Sequence, residues 1–497
     1  MIISHFENYR NEDGLVFIDK HPSLLKVFHK SRNFRNAINN KKFSEFVKTR
    51  ISFIYPKTLY LTLSDDRAIT DIESNIIEGM TRNDFIDTLN RFFDFINNLL
   101  NETTCFSRVI LDLRNSTLIT QTFLSNISIL YNRNKDRVFV LGDDIIKNAN
   151  DKFETSIFVF DSIAAIRREL LDMHKLKSHL YSYSGDCDYL TLENHIFKHL
   201  KPKLLTNIDL LIIDLRELKD IDFFSLCLLN AAIHSFAHEY GILCLLELPS
   251  DLSAKFKIIN SRLINVNRDF LMNYQELSNK YQRINKINNE INIGLDYCLF
   301  TIEPSQIHLL LNALRHFFQS LSTSKYFRFD IVRSTTDVSK KVSRLDDFIA
   351  ILYELIDNAV HHSDGSSYIG LGMDISDGSG INALYCYIGD TGCGLLKTIP
   401  KEFEIMKEKR NHEFMIKICF LLVEKYRDKR KESDPFGGRG LDRTRRALRN
   451  VRANAFLRTG DKFGIFENFD KISPKTMKTL NLVGTHYFLS IPLERKN

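Results

Sequence analysis

The stretch FIAILYELIDNAVHHS, residues 348–363, decides how the C-terminal third of this chain is read, together with DTGCG at 390–394 and GGRGL at 437–441. Apolar residues recur through it with a helical period, which predicts a helix with a buried stripe. Glu354 and Asn358 lie four residues apart in that run, so they project from one face about a turn apart. A carboxylate and a carboxamide aligned in this way suit binding a hydrated Mg²⁺ and orienting a water. The two glycine-containing stretches let backbone amides approach phosphates. The spacing reads as a nucleotide pocket.

Bulk composition narrows the alternatives. At 497 residues, and roughly one domain per 100–200 residues, the chain suggests about three domains. Hydrophobic content of 44% and charged content of 26% are those of an ordinary globular protein. A net charge of +6 argues against a strong polyanion binder, so a nucleic-acid reading must rest on a local patch. The candidate patch is Lys425 to Arg452, with eleven Lys or Arg. Few aromatics are interleaved there and acidic residues are mixed in. A phosphate-closing lid or a solvated helix face is therefore the stronger reading and nucleic acid the weaker. The eight cysteines form no CxxC pair, and Cys227, Cys244, Cys298 and Cys419 sit among apolar neighbours as small hydrophobes. A chain of this size needs no disulfide staples, so a reducing, cytoplasmic setting is expected. The opening MIISHFENYRNEDG meets charge too early for a secretory segment. The longest apolar runs, such as ICFLLV at 418–423, fall far short of the roughly 20 residues of a membrane span, and no membrane association is expected.

Residues 1–50 offer no readable chemistry. From 51, ISFIYPKTLYLTL is strand-like, and FIDTLNRFFDFINNLL, ending at 100, has a helical period. Residues 108–142 then read as buried strand, turn, amphipathic helix and second buried strand, a βαβ unit with parallel pairing. The same order returns at 210–249, and the strand ends LDLR (111–114) and IDLR (213–216) match. This predicts two related domains in tandem.

The second copy resembles the STAS domain, the anti-anti-sigma-factor fold, on Ile221, Asp222, Phe223, Phe224 and Ser225 at the start of its helix. The family's phosphoacceptor serine falls on Phe224, so this copy departs from the pattern where phosphorylation would act. The first copy has Ile119, Thr120, Gln121, Thr122 and Phe123, with Thr122 as the hydroxyl near that position. Generic βαβ packing is the alternative reading. Residues 251–292 read as the end of this domain and a helical connector. Neither His238-Glu239 nor His412-Glu413 has the context of a phosphorylatable dimerisation-helix histidine.

Further on, residues 296–321 read as a strand followed by an amphipathic helix, and YFRFDIVR at 326–333 as another extended segment. SYIGLGMDI (367–375) and NALYCYIGD (382–390) read as a hairpin around DGSGIN. Four motifs in order resemble the GHKL (Bergerat-fold) ATP-binding domain shared by gyrase, histidine kinases and anti-sigma serine kinases. Glu354 to Asn358 matches its N box, and Asp390, Gly392 and Gly394 match its G1 box. Gly438, Arg439, Gly440 and Leu441 match its G2 box, and GTHYFLSIPL at 484–493 its closing strand. The resemblance implies Asn358 as Mg²⁺ ligand, Glu354 as general base and Asp390 as the carboxylate that reads the adenine amino group. It also implies Thr485 as part of the adenine environment and backbone amides after Gly440 as holders of phosphate oxygens. His362 fills the histidine position of the signalling branches, and the 395–436 segment resembles a lid longer than that of the compact anti-sigma kinases.

The expected architecture is α/β and multi-domain. An α/β module at 1–150, a degenerate STAS-like copy, precedes a second STAS-like module at 170–270. A helical connector at 271–294 leads to an α+β GHKL sandwich at 295–497 with helices packed on a mixed sheet. The expected function is a cytoplasmic regulatory protein that binds Mg²⁺-ATP, hydrolyses it slowly and switches the partner-binding state of the STAS-like modules. A regulatory protein of STAS-like or sigma/anti-sigma type is the expected partner, and a homodimer is compatible. Two alternatives stay open: a serine/threonine protein kinase of the anti-sigma type, and an ATP-gated dimeric clamp or scaffold on a macromolecule.

Overall fold

Pro56 and Lys57 decide where the first sheet turns. Proline gives no amide hydrogen to a ladder, and Lys57 takes a φ of 46°, so the strand-like 51–63 stretch reverses into a hairpin of two strands. The computed structural model describes residues 16–17, 51–54, 56–62, 93, 96–97, 100–101, 106–114, 121–172, 175–267, 270–271, 297–302, 304–323, 327–328, 344–362, 367–374, 382–392, 394–395, 411–419, 444–445, 447–449, 451, 453–466 and 475–495. Its residues fall into two compact units. One holds 1–179, 202–212 and 236–244; the other holds 180–201, 213–235 and 245–497. Among the described residues no helix is long and apolar enough to cross a membrane.

The first unit carries a six-stranded sheet in sequential order: β1 (Val16–Phe17), β2 (Ile51–Ile54), β3 (Thr58–Thr62), β4 (Arg108–Asp112), β5 (Val138–Leu141) and β6 (Val159–Phe160). The β1/β2 and β2/β3 pairs are antiparallel and the rest parallel. Helix α1 (Gln121–Arg133) makes the β4–β5 crossover, as expected for βαβ; α2 (Asp144–Lys152) and α3 (Ile163–Leu170) follow. Tyr60, Ile110, Phe139 and Leu141 from the sheet pack with Ile163, Ile166 and Leu170 of α3. At the end of β4, Arg114 folds back on the buried Asp112, donating from its backbone N (3.1 Å), Nε (3.0 Å) and Nη2 (2.9 Å).

The second repeat comprises β7 (Ser178–Ser182), β8 (Gly185–Cys187), α4 (Tyr189–His199), α5 (Pro202–Asn207), β9 (Leu210–Asp214), β10 (Leu218–Ile221), α6 (Phe223–Tyr240) and β11 (Leu243–Glu247). Strands run in the order β11-β9-β7, and β10 pairs with β8 in parallel. The strand-end clasp recurs. Arg216 donates to Asp214 from N (3.0 Å), Nε (2.9 Å) and Nη2 (2.8 Å), so the matching LDLR and IDLR share one local geometry. Asp222 anchors the starts of two helices, accepting from Ser225 N (2.6 Å) of α6 and Tyr189 N (3.2 Å) of α4. Helix α6 is apolar on nearly every side and buried almost throughout.

Helices α7 (Leu252–Asn260) and α8 (Leu263–Val266) precede β12 (Tyr297–Ile302), α9 (Ile307–Thr323), β13 (Phe327–Arg328), α10 (Arg344–His362), β14 (Ser367–Asp374), β15 (Asn382–Asp390), α11 (His412–Cys419), β16 (Asn454–Phe466) and β17 (Lys475–Arg495). The connector expected at 271–294 lies outside the described residues beyond Leu271. The strands form one sheet, β12-β14-β15-β17-β13, with β16 also on β17. The strand, the helix and the 367–390 hairpin stand where the sequence put them. The expected mixed sheet is corrected: every pairing among the described residues is antiparallel. Neighbours β14/β15 and β16/β17 are consecutive in the chain, so each strand returns against the one before it.

Side chains alternate across this sheet. Ile369, Leu371, Cys386, Ile388, Leu457 and Leu489 point into a core with Phe348, Ile351, Leu352, Leu355 and Ile356 of α10. The intervening residues form an aromatic face, and within the second unit α4 and α6 cover it. Phe224 packs edge-on against Tyr385, Phe456 and Phe488, with ring centroids 5.1, 5.8 and 5.7 Å away. Tyr189 stacks on Phe456 and Phe463. A side chain at Gly370 would come within 2.8 Å of Leu299 and 3.0 Å of Phe223, so glycine there permits the close approach of α6. Removing the Phe224 ring leaves a cavity between helix and sheet. Phe224→Ala is expected to cost about 3–5 kcal/mol, read as a lowered urea midpoint. Phe224→Ser, which places a hydroxyl there, is expected to cost at least as much, because it also buries a polar group.

Candidate functional site

The site forms where β15 ends beside a kink in β17. Gly484 has φ +83°, and a Cβ there would fall 1.7 Å from the Asp390 carbonyl oxygen, so no other residue fits. This close approach lets the backbone N of Thr485 donate to Asp390 Oδ2 (3.2 Å), while Gly392 N donates to Oδ1 (2.8 Å). Asp390 is buried, and burial pushes its carboxyl up to about 7, only partly offset by the Gly392 and Thr485 amides. A carboxylate has about four acceptor positions. Two are taken, which leaves capacity for an external donor such as an amino group.

A second strand closes the same corner. Thr459 on β16 pairs in register with Thr485, and the ladder shifts immediately after it, around Gly460. Thr459 Oγ1 accepts from Leu395 N (3.1 Å). Gly394, at φ +71°, passes so close to Thr459 and Gly484 that an added Cβ would lie 3.0 and 3.2 Å from them. Helix α10 is tied to this end of the sheet by one hydrogen bond and one register pair. Ser367 Oγ donates to Ala359 O (2.7 Å), and Ser367 stands opposite Asp390. Asn358 Nδ2 donates to Glu354 O (2.7 Å), which turns its carbonyl oxygen, the atom a hard cation would take, away from the helix backbone. Glu354 lies one turn earlier, half-buried.

Of the residues singled out in the sequence, Asp390, Gly392, Gly394 and Thr485 are brought together, and Asn358 and Glu354 lie on the helix fastened to the same strand end. His362 is the last residue of α10 and its side chain lies outside the described residues. Gly438, Arg439, Gly440 and Leu441 lie outside the described residues, as does most of the 395–436 segment. Thr122 is exposed in the first turn of α1. Thr459 and Ser367 were missed. The Thr-Gly pair inside the alternating NAFLRTGDKFGIF was the available signal for the first, since glycine within a strand marks a bulge. Ser367 gave none. Among the described residues no group of three or more His, Cys, Asp or Glu is arranged to hold a metal ion. No protein-family model matches the chain, and no curated protein sequence matches it significantly.

The Asp390 carboxyl sets a pH dependence. With its folded value near 7 and its unfolded value near 3.8, the native state holds the extra proton between them, so stability falls as pH rises through that window. The stability of the ligand-free protein, followed by thermal unfolding, is expected to drop between pH 5 and 8 by on the order of 3 kcal/mol at most from this group. Asp390→Asn, scanned over the same range, is expected to lose that part of the slope.

Proposed function

We propose that the C-terminal part of the chain is a GHKL-like module that binds Mg²⁺-ATP and hydrolyses it slowly, and that the protein is a cytoplasmic regulator. The observation that carries this reading is the Asp390 corner: a buried carboxylate held by two backbone amides, with acceptor capacity remaining, where glycines let the surrounding backbone close in. In this reading Asp390 accepts from the adenine amino group and Thr485 lines the base. Asn358 offers its carboxamide oxygen to the cation, and phosphate oxygens and waters complete the shell. The bound Mg²⁺ supplies charge neutralisation at the phosphates. Glu354 takes a proton from the water whose oxygen bonds to the γ-phosphorus, while ADP leaves with the electrons of the broken P–O bond. Gly438, Arg439, Gly440 and Leu441 belong to the phosphate end, and His362 to the N-box helix.

The STAS-like reading of the two N-terminal repeats gives the output. Phe224 occupies the phosphoacceptor position of the second repeat and is buried, so that repeat is not a substrate at this position. Partner contact, with a regulatory protein of STAS-like or sigma/anti-sigma type, then falls to other surfaces. The exposed Thr122 favours one second reading, a serine/threonine kinase of the anti-sigma type acting on the first repeat of another copy.

Incubation with γ-labelled ATP separates the readings. Wild type is expected to release phosphate to solution; label on Thr122 or on an added protein would favour the kinase. Glu354→Ala is expected to keep ATP binding and lose turnover by about 10²–10⁴-fold. Asn358→Ala is expected to lose the Mg²⁺ dependence of binding. A wild-type protein that binds no adenine nucleotide would overturn the proposal.

A further inference from the structure

The strands that build the Asp390 corner are gripped from their other face, one residue away on each. On β17, Val483 precedes Gly484 and Thr485. Its amide donates to Ser235 Oγ of α6 at 3.0 Å. Its carbonyl faces His486 Nε2 at 2.8 Å, and His486 Nδ1 meets Tyr387 OH at 3.0 Å. Burial holds His486 far below its ordinary value, hence neutral, with Nε2–H donating to Val483 and Nδ1 accepting from the tyrosine. The Val483 backbone is thus fixed on both sides immediately before the kink that clamps Asp390. On β16, Arg458 precedes Thr459. Its guanidinium, fully buried, is paired with the buried Glu193 of α4 and donates to Leu480 O. Because neighbours on a strand point to opposite faces, Arg458 and Thr459 address α4 and the site, respectively. Two independent polar contacts from the second repeat therefore end beside Thr459 and Gly484, two of the residues that build the corner.

We propose that the second repeat is a built-in positioning element for the adenine end of the site, acting through Ser235 on Val483 and Glu193 on Arg458. This rests on the nucleotide reading above and adds the regulator of that site: α4 and α6 of the same chain. Neither side chain touches the reacting groups. Each fixes a strand whose next residue or two border the corner, Gly484 and Thr485 beyond Val483 and Thr459 beyond Arg458, so their effect belongs to base binding rather than to phosphate chemistry. A segment that holds this corner from behind can also change it. Displacement of α4 or α6 by a partner would loosen Gly484–Thr485 and release nucleotide, and by linkage nucleotide would tighten the helices on the sheet.

The test compares adenosine, ADP and Mg²⁺-ATP binding to the full chain by titration calorimetry, with thermal unfolding in parallel. Ser235→Ala leaves the buried Val483 N–H without its acceptor and is expected to weaken all three ligands alike, by roughly tenfold. Asn358→Ala weakens Mg²⁺-ATP and spares adenosine. A second variant replaces the ion pair by apolar side chains of similar volume, Glu193→Leu with Arg458→Met, avoiding an uncompensated buried charge. It is expected to lower adenosine affinity in the same way. In the wild type, adenosine is expected to slow hydrogen exchange in α4 and in residues 223–235, a readout that needs no variant. A lower melting temperature with wild-type adenosine affinity, or exchange in α4 and α6 that adenosine leaves unchanged, would overturn the proposal. Wild type that binds Mg²⁺-ATP while the variants keep full adenosine affinity sinks this inference alone; wild type that binds no adenine ligand sinks the nucleotide reading with it.

Discussion

Both faces of the C-terminal antiparallel sheet are apolar, and the second unit is built around that constraint. A strand cannot turn its side chains to one side only, so β14 to β17 present aliphatic residues to α10 and aromatic residues to α4 and α6. A sheet with a single covered face would leave Tyr385, Phe456 and Phe488 in water, a patch that soluble chains seldom expose. The polar residues on this aromatic side are few and specific. Arg458 with Glu193 contributes little net stability against well-packed apolar replacements, whereas Ser235 satisfies the buried Val483 amide. They tie α4 to β16 and α6 to β17 at single defined positions.

Much of this was legible in the sequence. The βαβ order at 108–142, the repeat at 210–249 and the LDLR/IDLR match follow from local period and composition, and the clasps of Arg114 on Asp112 and Arg216 on Asp214 give the match a physical content. The α10 helix and the 367–390 hairpin were legible for the same reason, with short-range pattern agreeing with the final packing. The 51–63 stretch is strand-like in sequence, and the turn at Pro56 and Lys57 divides it into two strands. Thr459 and Ser367 act through residues far away in sequence, Leu395 for one and the α10 carbonyls for the other, and one-dimensional pattern carries no such information. The aromatic face was hidden for the same reason. Tyr385, Phe456 and Phe488 alternate as any half-buried strand does, and nothing local names their partners at 189 and 224.

Phe224 connects the two halves of the functional reading. In a module regulated by phosphorylation, the start of this helix needs an accessible hydroxyl. Here two phenylalanines open the helix and are pressed into the sheet, while Asp222 still anchors the helix start. The helix start that the resemblance would leave exposed is interior here. With this helix start buried against the sheet, regulation in the proposed reading acts on packing between helix and sheet and not on a side-chain modification at this position.

The order in which the ribosome delivers these pieces has a cost. Phe224 leaves the exit tunnel long before Phe456 and Phe488, the last rings it packs against, because β16 and β17 come far later in the sequence. Until then the nascent α6 carries its aromatic end unsheltered, a surface prone to wrong contacts during a long synthesis. The second repeat can therefore complete its own burial only once β16 and β17 have been made. A truncated product that ends before β16 would retain intact helices and still present the sticky end that chaperones and proteases recognise.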